Sequence, residues 1–302
     1  MKLLSPFSSR LLQRITVLLL LFAGLQAALA QEKEGKPESL FRIDVVEEGS
    51  GWPVPLVELR TTHNVRFVSD NRGIIAFDLP ELMGRDTWFS VKGHGYEVKA
   101  DGFGYRGVKL KPTPGGKATV TVKRRLPARR IGRLTGGGLF GESQRFGLEQ
   151  DWEESGILGC DSVQVAEHDG KIFWAWGDTN LPRYPLGLFH MSSATTGPAP
   201  LKSFEPPLRL RFDYFQDADN RVRSVAEMPG KGPTWVSGYV SLPDQNGRSR
   251  LVGTYVKVRK FLEVYETGLC VWNEEKSVFV KHRTLWTKTA EDSKPPRVPD
   301  GH

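Results

Sequence analysis

The amino-acid sequence predicts an all-β protein built of two parts, and three observations predict it. Short runs of alternating apolar and polar residues recur along the chain, and no long helical periodicity interrupts them. Clusters of turn-forming residues separate the runs, in a chain with 32 glycines and 20 prolines. Aromatic residues crowd the second part, where six of the eight tryptophans lie at Trp152 or beyond.

The first thirty residues, 1–30, read as an export signal rather than as fold. Lys2, Arg10 and Arg14 make a positive start without acids, Ile15 to Ala28 is apolar, and Ala28-Leu29-Ala30 supplies a small-x-small cleavage site before Gln31. The apolar run is short for a membrane span. No integral span is expected after cleavage, and the expected location is extracytoplasmic, periplasmic or secreted; an uncleaved anchor is the other reading. Loss of the three basic residues lowers the formal charge from +7 to +4. So mild a balance does not point to a nucleic-acid partner. Cys160 and Cys270 are too few for a disulfide scaffold and read as buried thiols, with a bridge as the alternative. The six histidines are scattered and no CxxC or HExxH spacing is present, so neither a metal nor a cofactor is expected.

Residues 40–123 read as a small antiparallel sandwich. Candidate strands are Phe41 to Val46, Pro55 to Arg60, Gly73 to Leu79, Thr87 to Lys92, Tyr96 to Ala100 and Ala118 to Lys123, separated by "GSGWP", "SDNRG", "MGRD", "KGHG" and "TPGG". Six or seven strands in roughly 85 residues is the density of such a fold. The segments "PVPLVELRTT", "VSDNRGIIAFDLP" and "GGKATVTVKRR" resemble the carboxypeptidase regulatory-like, transthyretin-like sandwich. That resemblance implies an accessory module without a common active site. No catalytic residue is assigned here, and His63 and His94 read as loop residues.

Residues 124–150 read as a basic, glycine-rich linker. "KRRLPARRIGR", Lys123 to Arg133, holds six basic residues in eleven and no acid. It is either a patch for acidic polysaccharide or anionic headgroups, or a solvated joint whose arginines pair with acids on either side.

Residues 151–302 read as an incomplete β-propeller. "CDSVQVAEHDGKIFWAWGDT" (Cys160 to Thr179) and "TWVSGYVSLPDQNGRSRLVGTYVKV" (Thr234 to Val258) share one layout: an alternating strand, a polar turn with Asp and Gly, and a second strand. A further pair comes after them as "TGLCVW", "NEEK" and "SVFVKH". The 74 residues from Asp161 to Trp235 suit one four-stranded blade per repeat. The pattern "D…EHDGKIFWAWGDT" resembles the blades of five-bladed propellers of the arabinanase-like glycosidases. "WGDTN.P.YPLG.FH" and "GPTWVSG" resemble uncharacterised secreted bacterial proteins that join a regulatory-like sandwich to such a propeller. Five blades need well over 300 residues, whereas 171 run from Gly132 to His302. The expectation is that the chain is the front part of a longer propeller.

Five residues are candidates for a site. The innermost strand of a blade lines the central channel, and in the first blade that strand would be "CDSVQVA". Asp161 therefore ranks first, as a carboxylate compatible with the base of the arabinanase-like pattern, which pairs two carboxylates across a glycosidic bond. The second-blade segment begins at Trp235 and carries no aspartate, a departure from that pattern. In "KIFWAWGDT" the period of two puts Asp178 on the face of Trp174 and Trp176. Asp178 is either a turn former beside Gly177, with Asp or Thr bonding the backbone, or a carboxylate aimed into the channel. Trp174, Trp176 and Trp235 are either platforms for sugar rings or core. His190 is either a channel residue or a hydrogen-bonded core histidine. Glu263 and Glu266 fall on opposite strand faces and do not form a pair.

The expected function is recognition of carbohydrate, such as a polysaccharide or cell-envelope glycan, by an exported protein. The alternatives are a polysaccharide-cleaving, glycosidase-like enzyme and a non-catalytic cell-envelope interaction protein.

Overall fold

The computed structural model of the chain describes residues 38–290 and 293–295. The expected signal peptide lies outside the described residues. Within them no helix is long and apolar enough to cross a membrane. Apart from one helical turn at Gly141–Gln144 and two 3-10 turns, the regular structure among the described residues is strand.

The first part is a sandwich of β1 (Phe41–Glu47), β2 (Glu58–Thr61), β3 (Arg66–Val68), β4 (Ile74–Phe77), β5 (Thr87–Lys92), β6 (Tyr96–Glu97), β7 (Gly107–Leu110) and β8 (Lys117–Arg124). One sheet has the order β4-β1-β8-β6 and the other β3-β2-β5-β7. Strict alternation buries Phe41, Ile43 and Val45 of β1 against Leu59, Phe89 and Val91 of the facing sheet. Phe77 stacks on Phe67 at 4.3 Å and tilts against Phe89, closing the core. One pair departs from the antiparallel expectation: β8 runs parallel to β1, from Arg42↔Lys117 to Glu47↔Val122. The intervening chain crosses to the second sheet and back, the long connection that a parallel pair requires.

The basic joint packs onto this sandwich. Glu47 sits buried at the end of β1, and Arg129 reaches it with two nitrogens at 2.7 and 3.1 Å. Arg130 donates to the carbonyls of Pro55 and His94. The turn "SDNRG" anchors the chain from Arg133 to Glu149. Buried Asp70 accepts from the backbone N–H groups of Arg72 and Ile74 and from both the N–H and hydroxyl of Ser143 in the helical turn. Asn71 bonds Arg133 through both ends of its amide, and Arg72 pairs with buried Glu149 at 2.5 Å. Of these arginines Arg129 pairs with an acid, as the joint reading expects, whereas the side chains of Arg130 and Arg133 bond backbone carbonyls instead.

Among the described residues the second part contains three sheets. β9 (Gly159–Cys160), β12 (Thr179–Leu181) and β13 (Tyr184–Leu188) form a small one. β10 (Gln164–His168), β11 (Lys171–Trp176), β14 (Ser192–Thr196) and β15 (Asp213–Tyr214) form a four-stranded antiparallel sheet in that order. β16 (Thr234–Pro243), β17 (Ser249–Arg259), β18 (Glu263–Asn273) and β19 (Val278–Thr287) form another, an uninterrupted meander. The two layouts that look alike in sequence are therefore the β10–β11 and β16–β17 hairpins. One core joins the two sheets: Phe173 and Ala175 from β11 meet Val236, Tyr255, Trp272 and Phe279. Phe173 lies edge-on to Trp272 at 5.0 Å and to Phe279 at 5.9 Å, a favourable aromatic geometry. The two edge strands β10 and β16 run side by side.

Candidate functional site

A cleft of about 360 Å³ opens where the start of β10 meets β16. Asp161, Asp178 and Trp235 line it, together with Ser162, Gln164 and Ser237. Three of the five residues singled out from the sequence are thus brought together.

Asp161 is placed by a local distortion between β9 and β10. Its carbonyl accepts from the Gly177 N–H at 3.0 Å, while its own N–H donates to the Asp178 carbonyl at 3.2 Å. Ser162, next in the chain, is left-handed with φ 48°. The Cys160↔Thr179 and Gln164↔Ala175 pairs nevertheless keep one register, so the irregularity is a kink without an inserted residue. The kink folds the Asp161 carboxylate over Gly177, where a Cβ would collide with Asp161 Oδ1. Glycine at 177 leaves room for the Asp161 carboxylate in this position, which a larger residue would displace.

Asp178 comes after β11 and breaks its alternation. Trp176 is 3% exposed and packs against Phe212 and Tyr214, parallel to Trp174 at 6.3 Å. Asp178 instead faces the cleft with Asp161, because the kinked pleat ends the period of two at Gly177. Its Oδ1 is buried with no hydrogen-bond partner among the described residues. The turn-forming role belongs to Thr179, whose hydroxyl donates to the Gly177 carbonyl and meets Ser192 Oγ at 2.8 Å. Burial raises the Asp178 pKa, and the neighbouring Asp161 raises it further.

Trp235 stands on β16 opposite Val256 of β17, half-buried, packed against the shared core and lining the cleft. Gln164 stitches the cleft floor. Its amide donates to the Val236 carbonyl at 3.3 Å and accepts from the Gly238 N–H at 3.0 Å, bridging the two sheets as a strand pair would.

Two expected site residues fall elsewhere. Trp176 is core, as its stacking partners show, and not a platform. His190 does not line the cleft; its Nδ1 accepts from the Thr234 N–H at 3.3 Å, and burial lowers its pKa. Gln164, Ser162 and Ser237 were not anticipated. Only Gln164 left a signal, an amide set within the otherwise apolar alternation of "SVQVA".

The cysteines are free, Cys270 in the shared core and Cys160 half-buried on β9. Burial pushes their thiols up to about 12 and about 11, so neither is an activated nucleophile. Glu263 pairs with Arg259 and Lys288, whereas Glu266 holds Lys281 and Tyr255, so the two acids serve separate clusters. A second cleft of about 240 Å³, bounded by Trp152, Phe212, Tyr214 and Arg211, contains none of the sequence candidates.

In comparison with known proteins, the chain matches no family model and no curated protein.

Proposed function

We propose that this protein recognises carbohydrate in the cleft between β10 and β16, and that its two four-stranded sheets are consecutive blades of a propeller. One observation carries the reading: two carboxylates, one with a buried and unpartnered oxygen, converge beside a half-buried indole. Carboxylates accept hydrogen bonds from vicinal sugar hydroxyls, and an indole offers a flat apolar surface with an N–H at its edge. The charge narrows the ligand class. Among the described residues no lysine or arginine lines the cleft, so two acids would repel uronic or sulfated sugars, and neutral or amino sugars are the expected ligands. The export signal read at residues 1–30 supports recognition outside the cytoplasm. The shared aromatic core between adjacent meanders and their juxtaposed first strands support the blade reading.

Calorimetric titration with a panel of neutral and amino oligosaccharides tests it. Binding weakened about tenfold or more by Trp235→Ala is the expected result, the scale of a lost buried anchor. A panel with no ligand, or affinity indifferent to Trp235, rejects it.

The raised pKa of Asp178 favours a second reading, hydrolysis. Two neighbouring carboxyl groups, one of them raised in pKa by burial, are the elements of acid–base glycoside cleavage. Release of new reducing ends, abolished by both Asp161→Asn and Asp178→Asn, would establish it. Binding without such release leaves recognition alone.

A further inference from the structure

We propose that His168, Asp169 and Glu274 bind one divalent transition-metal ion, of zinc's class, which clasps the two four-stranded sheets together at the end of β10 away from the cleft. His168 is the last residue of β10 and is buried, Asp169 opens the turn into β11, and Glu274 opens the turn between β18 and β19.

The donor atoms converge on one point. His168 Nε2 lies 3.0 Å from Glu274 Oε1 and 3.8 Å from Asp169 Oδ2, and all three atoms are within 4.8 Å of one another. A tetrahedral ion with donors ~2.1 Å away sets donor–donor separations near ~3.4 Å. The two separations from Nε2 bracket that value, so small rotations of two exposed carboxylates complete the cage.

The atoms facing away from that point are already held. His168 Nδ1 is 2.8 Å from Ser241 Oγ, and Glu274 Oε2 accepts from Trp272 Nε1 at 3.0 Å. Contacts of this outer kind aim ligands and fix the tautomer at metal centres. Before the ion enters, Nε2 meets Glu274 Oε1, and the Ser241 hydroxyl can donate to Nδ1 or accept from it. When the ion takes Nε2, the proton resides on Nδ1 and Ser241 Oγ accepts it. A hydroxyl serves in either direction, so the Ser241 contact is kept when Nε2 is given to the ion.

One imidazole and two carboxylates suit Zn²⁺, Co²⁺ or Mn²⁺, whereas Ca²⁺ takes six or more oxygens. The fourth position goes to water, since the Asp169 and Glu274 side chains are 62% and 57% exposed. The ligands are adjacent at 168 and 169 but join a residue more than a hundred positions on, so no motif spacing announces them.

A plain His–Glu ion pair would also join the two turns, and Asp169 separates the readings because it makes no hydrogen bond to either partner. Asp169 is left-handed with φ 48°, a conformation asparagine accepts, so Asp169→Asn keeps the turn. The full chain, stripped with chelator, is titrated with Zn²⁺ by calorimetry, and Co²⁺ absorption reports the ligand set. The expected result is one ion per chain, weakened 10- to 100-fold in Asp169→Asn and further in Glu274→Gln, with Zn²⁺ raising the Tm of the wild type more than that of either variant. Absence of stoichiometric binding up to about 1 mM Zn²⁺ overturns the proposal, as does an affinity unchanged in Asp169→Asn. If Glu274→Gln fails to fold, Asp169→Asn decides alone.

Discussion

Asp178 carries a carboxylate where the fold gives it no donor. Burial and the Asp161 charge raise its folded-state pKa above the ordinary 3.8, so the ionised group opposes folding at neutral pH. Between 3.8 and the raised value the folded chain holds more protons than the unfolded one, and stability falls as pH rises. Asp178→Asn should therefore raise Tm at pH 7, and the difference from wild type should shrink to nothing as pH falls towards 3.8. Thermal melts of both proteins across that range check it. A variant less stable than wild type at pH 7 would mean that the carboxylate has a stabilising partner. A residue kept at a cost in stability beside an indole is the kind that function retains.

At the scale of elements, the meeting of β10 and β16 is where the cleft is made. Two edge strands lie side by side, and Gln164 supplies the cross-strand donor and acceptor that backbone pairing does not. Gln164→Ala should leave the Gly238 N–H without its acceptor and speed its hydrogen exchange at least several-fold, with little effect on the β17–β18 ladder. Unchanged exchange at Gly238 would show that the sheets hold together without this bridge. Strand identity here was legible in the alternation, since β10, β11, β16 and β17 fall within the two segments that look alike in sequence. The partner of each edge was not legible, because β12 and β13 leave the sheet between β11 and β14 and nothing in their sequence says so. In the sandwich, β3 and β7 escaped notice for a different reason. They are short strands of three and four residues at the edges of their sheet, with little apolar signal.

For the molecule as a whole, the stretch that reads as a linker is a structural joint. Asp70 and Asn71 fasten residues 133–143 to the sandwich, and Glu149, whose side chain is only 4% exposed, pairs with Arg72 on one side and Arg209 on the other. Removing the shared carboxylate leaves Arg72 without its acid partner and leaves Arg209 only its exposed pair with Asp151. In differential scanning calorimetry the wild type should unfold in one transition and Glu149→Ala in two. A single transition in the variant, shifted or not, would mean that the halves are coupled by other contacts.

By itself the sequence determined the all-β class and most strands, because alternation and turn chemistry act between neighbours in the chain. It also placed Asp161, Asp178 and Trp235 as candidates from residue type and strand position. Tertiary structure decided which of them meet. The kink at Ser162 turned Asp178 away from Trp176, burial against Phe212 removed Trp176 from consideration, and a hydrogen bond from Thr234 turned His190 to a supporting role. Meetings such as Asp161 with Trp235, or His168 with Glu274, join residues far apart in the chain. They depend on how sheets dock, which is set by the fit of side chains across the shared core and not by any local pattern.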